Sequence, residues 1–185
     1  MQNRNFKYID DRALIRLVDS FVKINKAGVG NGEASLYLGS KKDPDIFRFF
    51  GCEDFDVHCI ILRDELLSYM DEVKIEYLNN RFVYRNEVNE RTWEENYKEI
   101  QSLPEEMNFS LTRKRQSDKN GRVYAQELSY RRRKNLSLET ASKAYTYDLI
   151  RRIAIPEVSF IMLSKLENND NLNMYASLIY DPNLE

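Results

Sequence analysis

Apolar residues along the chain recur mostly in short alternating runs bounded by Gly, Asn, Asp and Pro, a pattern that predicts strands more often than helices. Near the N-terminus, Asp10-Asp11 can cap a short helix over Ala13-Leu14-Ile15 with Leu17 and Val18. Ser20-Phe21-Val22-Lys23-Ile24 then alternates as a strand should. Ser35-Leu36-Tyr37-Leu38 reads as a strand. Asp43-Pro44 opens a helical turn through Ile46, Phe47, Phe49 and Phe50 that Gly51 ends. Strands are predicted from Phe55 to Leu62 and from Val73 to Leu78, the second with Val73, Ile75 and Tyr77 on one face and Lys74, Glu76 and Asn79 off it. Thr92-Trp93-Glu94-Glu95 supplies an N-cap and an acidic first turn for a helix to about Ile100. Phe109 to Lys114 and Arg122 to Tyr130 flank Asp118-Lys119-Asn120-Gly121 and predict a hairpin, since Asn-Gly suits a turn with positive φ. Ser137 or Asn135 can cap a helix to about Arg152. A last hairpin, Val158 to Leu166 and Leu172 to Tyr180, turns through Asn168-Asn169-Asp170-Asn171.

The 185 residues, 42% of them hydrophobic and 31% charged, can bury a real core and make wholesale disorder inconsistent with the composition. Twelve Tyr and nine Phe strengthen the strand reading. Cys52 and Cys59 match neither a zinc knuckle nor a disulfide framework, so both are expected as buried, inert thiols in a reduced, cytoplasmic compartment. His58 is the one histidine, inside the apolar run from Val57 to Leu62, and reads as a satisfied strand residue. Neither a zinc site nor any cofactor is expected. No stretch is long and apolar enough to predict a signal or a membrane span. Leu184-Glu185 follow Asp181-Pro182-Asn183 abruptly and read as vector-derived residues, which leaves 1–183 as a single domain cut from a longer parent.

Charge is where the sequence departs from the ordinary. The net charge is only −2, but nine Lys or Arg and two acids fall between Arg113 and Lys134, a local +7 that leaves about −9 elsewhere. Arg113, Lys114, Arg115, Lys119, Arg122 and the run Arg131 to Lys134, interleaved with Tyr124 and Tyr130, have the composition that phosphate-backbone binding requires. A solvated hairpin surface would share that composition. Two polar loops carry residue types that read base edges. The first holds Lys23, Asn25, Lys26, Asn31 and Glu33 around Gly28-Val29-Gly30-Asn31-Gly32, and the second holds Arg81, Arg85, Asn86, Glu87, Asn89 and Arg91 before Trp93. Arg pairs with guanine, Asn with adenine, and Glu accepts from cytosine in a major groove.

The order Lys23…Lys26-Ala27-Gly28-Val29-Gly30-Asn31-Gly32-Glu33-Ala34-Ser35-Leu36-Tyr37-Leu38, then Tyr77-Leu78-Asn79-Asn80-Arg81, then Arg85-Asn86-Glu87…Trp93, resembles the N-terminal effector-DNA-binding domain of EcoRII-type restriction endonucleases. Phe160-Ile161-Met162-Leu163-Ser164-Lys165-Leu166 resembles that domain's closing strands. The resemblance implies a β-rich α+β fold, an open seven-stranded pseudobarrel with short helices, shared with plant B-three transcription factors. It implies that double-stranded DNA is gripped in one major groove between an N-terminal arm, here the Gly-rich loop with Tyr37, and a C-terminal arm, here Arg81 to Trp93. By the same resemblance, residues 96–156 are an inserted helical and hairpin segment, and the parent chain carries a C-terminal catalytic domain that this module lacks. An enzymatic alternative is Pro44-Asp45 with Glu72-Val73-Lys74, which fits the PD…ExK pattern of Mg²⁺-dependent nucleases. A protein-interaction module is a further alternative.

Overall fold

The computed structural model describes residues 3–22, 35–79, 90–127, 138–166 and 173–184. The strands are β1 (Phe6–Ile9), β2 (Arg12–Arg16), β3 (Ser35–Ser40), β4 (Asp56–Leu62), β5 (Glu106–Arg113), β6 (Arg122–Gln126), β7 (Ser159–Lys165) and β8 (Asn173–Tyr180). The helices are α1 (Asp19–Val22), α2 (Pro44–Phe50), α3 (Arg63–Asn79), α4 (Glu90–Gln101) and α5 (Leu138–Ile153), with a 3₁₀ turn at Arg115–Asn120. All the described strands join one sheet in the order β1-β2-β7-β8-β4-β5-β6-β3, antiparallel throughout except for the parallel pair β4 and β8. The β-rich expectation holds, with eight strands where seven were expected.

The sheet curls until its two ends nearly meet. Asn3 Nδ2, just before β1, donates to Leu38 O of β3 at 2.8 Å and to Asp43 Oδ2 at 2.8 Å. Asp43 is also the N-cap of α2, accepting from Asp45 N at 3.0 Å. One side chain thus links the first strand, the last strand of the sheet and the helix that covers the barrel end. Gly39 makes this approach possible: its φ is +138°, and a Cβ there would lie 2.3 Å from Asn3 Nδ2. Beneath the contact, Phe50 stacks on Phe55 at 3.9 Å between ring centroids, and Phe49 meets Phe6 edge-on at 5.9 Å and Tyr8 at 5.7 Å. Each such pair adds about 0.5–1.5 kcal/mol beyond its area burial.

Several elements differ from the sequence expectation. Residues 12–16 form strand β2, because Ala13, Ile15 and Leu17 are fully buried at a spacing of two. Asp10-Asp11, expected as a cap, turns β1 into β2, with Asp10 at φ +55°. Ser20 to Val22 belong to the helical turn α1, whereas Lys23 and Ile24 lie outside the described residues. Val73 to Leu78, expected as a strand, is the C-terminal part of α3. Its buried Leu66, Tyr69, Met70, Val73 and Tyr77 recur at helical spacing, and Ile75 is left 78% exposed. The basic hairpin turns through the 3₁₀ segment, which Gly121 ends at φ +67°, and pairs as a ladder only at Thr112↔Gln126 and Arg113↔Ala125. The closing hairpin forms as expected, in register from Ser159↔Tyr180 to Lys165↔Met174. Residues 96–156, expected as an insertion, contribute β5 and β6, which stand between β4 and β3 inside the sheet. Cys59 is buried as expected, but Cys52 is exposed. Among the described residues, no helix is long and apolar enough to cross a membrane.

Placing a methyl at position 39 should force Asn3 aside. Gly39→Ala is expected to cost about 1–3 kcal/mol in urea unfolding, and Asn3→Ala a similar amount through its lost hydrogen bonds, about 1–3 kcal/mol. Shortening Asn3 removes the clash, so the double variant should cost clearly less than the sum of the two. Simple additivity would contradict the closure described.

Candidate nucleic-acid interface

Lys23, Asn25, Lys26, Asn31 and Glu33 of the first expected arm, and Arg81, Arg85, Asn86, Glu87 and Asn89 of the second, lie outside the described residues. The residues that flank them converge. The first arm follows α1, where Phe21 and Val22 are fully buried, and Phe21 meets Tyr147 of α5 edge-on at 5.4 Å. Arg151 Nε donates to Phe21 O at 2.7 Å, and the guanidinium lies 5.7 Å from the Phe21 ring. The second arm follows α3, where Tyr77 donates its hydroxyl proton to Arg152 O at 2.9 Å. Successive residues of one helical turn, Arg151 and Arg152, therefore hold the roots of both arms.

The second root is built as a clamp between α3 and α4. Trp93 is 2% exposed and packs on Tyr77 at 4.7 Å. It stabilises the base of the arm and has no face left for a base, which corrects its expected role in DNA contact. Arg91 is exposed and pairs with Glu95 at 2.8 Å, which pushes its pKa above the usual arginine value. Lys74 reaches Glu90 at 3.8 Å, and Tyr97 donates to Asp71 at 3.2 Å, so α3 and α4 are tied along their length. Arg152 Nη1 donates to Glu99 Oε2 at 2.9 Å and Asn96 Oδ1 at 3.1 Å, and Tyr145 donates to Glu99 as well. The Arg152 hydrogen bond holds the Glu99 carboxyl below the usual range, and burial, with the bond to Glu99, pushes the Tyr145 hydroxyl up to about 12.

The described half of the basic patch is less free than its sequence suggests. Arg113 has a side chain only 7% exposed, lies over Phe47 at 4.8 Å, donates to Glu53 O at 2.7 Å and pairs with Asp118. Lys114 is 6% exposed. Arg115 is exposed but held by Asp54, with Nε to Oδ1 at 2.7 Å. From Arg113 to Glu127 five basic residues face two acids, and Glu53, Asp54 and Asp56 alongside bring the numbers level. Arg113 and Lys114 are thus structural, which corrects their expected exposure to phosphate. The rest of the run, Arg131 to Lys134, lies outside the described residues. Tyr37 is partly exposed on β3 and pairs with Tyr124 of β6, ring centroids 5.1 Å apart.

The nuclease pattern does not assemble on one surface. Asp45 lies in the first turn of α2, bound to Arg48 at 3.1 Å. Glu72 and Lys74 are two apart on α3, and so roughly 200° apart around the helix, where the pattern needs a strand to present both together. Among the described residues, no cluster of three or more His, Cys, Asp or Glu could hold a metal ion.

No protein-family model, curated protein or solved structure matches the chain. The resemblance to effector-DNA-binding domains therefore rests on the quoted residues alone. Signals for the arm roots were present in the sequence, in Arg151-Arg152 at the end of a helix and in Trp93 sixteen residues after Tyr77, but neither identifies its partner without the fold.

Acid should weaken the clamp in a defined direction. Because Glu99 is held ionised by Arg152, its contribution is present above the ordinary carboxylate value of 4.5 and is lost as pH falls through the lower folded value. Glu99→Gln should therefore flatten the acid limb of a stability–pH profile measured by urea unfolding. An unchanged acid limb would contradict the pairing.

Proposed function

We propose that this chain binds double-stranded DNA with sequence preference, gripping one major groove between residues 23–33 and 81–91, and does not cut DNA alone. The observation that carries this reading is the shared root of both segments on Arg151 and Arg152. Two polar segments held by one helical turn have a fixed separation at their bases, which is what reading a single groove from two sides demands. Arg and Lys contacts to phosphates set orientation, and Arg, Asn and Glu then read base edges. The run Arg131 to Lys134 supplies the charge, since its neighbours from Arg113 to Arg115 are engaged in ion pairs or buried. In this reading the chain is the recognition or effector module of a larger restriction enzyme, with catalysis in a separate domain of the parent.

Selection from a randomised duplex pool should enrich one short motif. Arg85→Ala and Asn86→Ala should each cost about 1–3 kcal/mol on that motif and relax its sequence. Arg132→Ala should weaken binding to all duplexes alike and reduce the salt slope by about one. Failure to enrich any motif, or full cognate affinity in both arm variants, would overturn the proposal.

A further inference from the structure

The fold gathers exposed cations that lie about eighty positions apart in the chain. Lys41 N donates to Gly121 O at 3.0 Å, and the strand register pairs Ser40 with Arg122. The turn after β3 is fixed by Asp43 N donating to Ser40 O at 2.9 Å and Lys42 N donating to Ser40 Oγ at 3.2 Å. The backbone thus brings Lys41 and Lys42 to the turn that carries Lys119 and Arg122 on either side of Gly121. All four residues are exposed.

None of the four makes an ion pair among the described residues, because the acids nearby are engaged elsewhere. Asp43 accepts from Asn3 and from Asp45 N, Asp45 is bound by Arg48, and Asp118 is bound by Arg113. Along β4 and β5, Arg113 and Arg115 hold Glu53 and Asp54, Asp56 accepts from Thr112, and Glu127 accepts from Ser110 N. Four positive charges therefore share one surface with no acid to neutralise them, in contrast to Arg113 and Arg115 alongside. Like charges held together repel, and an anionic partner relieves that repulsion. The surface offers nothing apolar to a membrane or a protein groove. The large hydrophobic residues exposed among the described ones, Ile9, Ile75 and Tyr175, belong to β1, α3 and β8.

We propose that Lys41, Lys42, Lys119 and Arg122 form an anchor for the phosphate backbone of double-stranded DNA, separate from the two arms. Strand β3 sets Lys41 about 20 Å from Ser35, just after the first arm, which is the length of about six base pairs. The anchor holds phosphates that flank the groove entered by the arms, and adds affinity without reading sequence. Arg122 is hydrogen-bonded to the Tyr124 hydroxyl, which holds its guanidinium at the edge of the patch. The inference rests on the nucleic-acid reading above and adds a sequence-independent contact to it.

Fluorescence anisotropy of the full chain tests it, with labelled duplexes of the enriched motif and of a scrambled sequence titrated across a potassium chloride series. Two double variants remove half of the patch each, Lys41→Gln with Lys42→Gln and Lys119→Gln with Arg122→Gln. Each should lower affinity for both duplexes alike, about ten-fold at moderate salt, and reduce the salt slope by about two. The preference for the motif over the scrambled duplex should not move. A charge-matched control, Lys7→Gln with Lys98→Gln, should keep the wild-type slope. Slopes unmoved in both patch variants, or an equal fall in the control, would overturn the proposal. So would binding to phosphatidylserine vesicles without binding to any duplex. Reduced slopes in the patch variants with no motif enriched from the duplex pool would remove the two-arm reading and leave this surface. An enriched motif with unmoved slopes would do the opposite.

Discussion

Taking a guanidinium wholly out of water costs several kcal/mol unless its charge and its N–H groups are met inside the protein. Arg151 is fully buried, yet none of its nitrogens is among the buried side-chain atoms left without a hydrogen bond. The Phe21 carbonyl, the Phe21 ring and Asp148, 3.7 Å away, surround it. These requirements fix α1 to the end of α5. One residue later the helix offers its Arg152 carbonyl to Tyr77 and its Arg152 side chain to Glu99 and Asn96. Sheet, helix pair and both arm roots are thereby held to one short stretch of α5, and truncating Arg151 would leave polar groups without partners at the place where they meet.

A second constraint governs the barrel. A curled sheet that nearly closes must bring its end strands together without exposing two unpaired edges. Here a single asparagine side chain spans the gap, and a glycine without a Cβ lets it approach. The aromatic cluster from Phe6 to Phe55 fills the end beneath it, while Tyr147 and Phe109, 6.1 Å apart, carry the core towards α5. The sheet acts as a rigid frame on which polar segments can be mounted.

Much of this was legible in the sequence, and where it was not the reason is specific. Helix α2 was plain because Asp43, Pro44 and Gly51 each have one structural use at those positions. The closing strands were plain because both are mostly apolar, Met174, Ala176 and Leu178 are buried at a spacing of two, and the Asn-rich run between the strands predicts a turn. Helix α3 was hidden by Val73, Ile75 and Tyr77, whose spacing of two imitates a strand. Only the longer series from Leu66 to Tyr77 reveals a helix, and Ile75 is the exposed residue that misled. Strand β2 was hidden in turn because Asp10-Asp11 resembles a cap and in fact makes a turn. The charge of Arg113 and Arg115 was visible, but their acidic partners, Glu53 and Asp54, stand about sixty positions earlier and meet them only in the folded sheet. The convergence of both arm roots on Arg151 and Arg152 depends on contacts across more than seventy residues, which local pattern cannot supply.

The claim that two segments rooted together enter one groove can be measured directly. An iron chelate tethered in turn to Asn31→Cys and Arg85→Cys, in a Cys52→Ser background that removes the exposed native thiol, would cut bound DNA close to each arm. Both tethers should cleave the selected duplex within the same turn, about ten base pairs, centred on one major groove. Cleavage at sites more than a full turn apart, or from only one of the two tethers on a duplex that is fully bound, would contradict the shared grip.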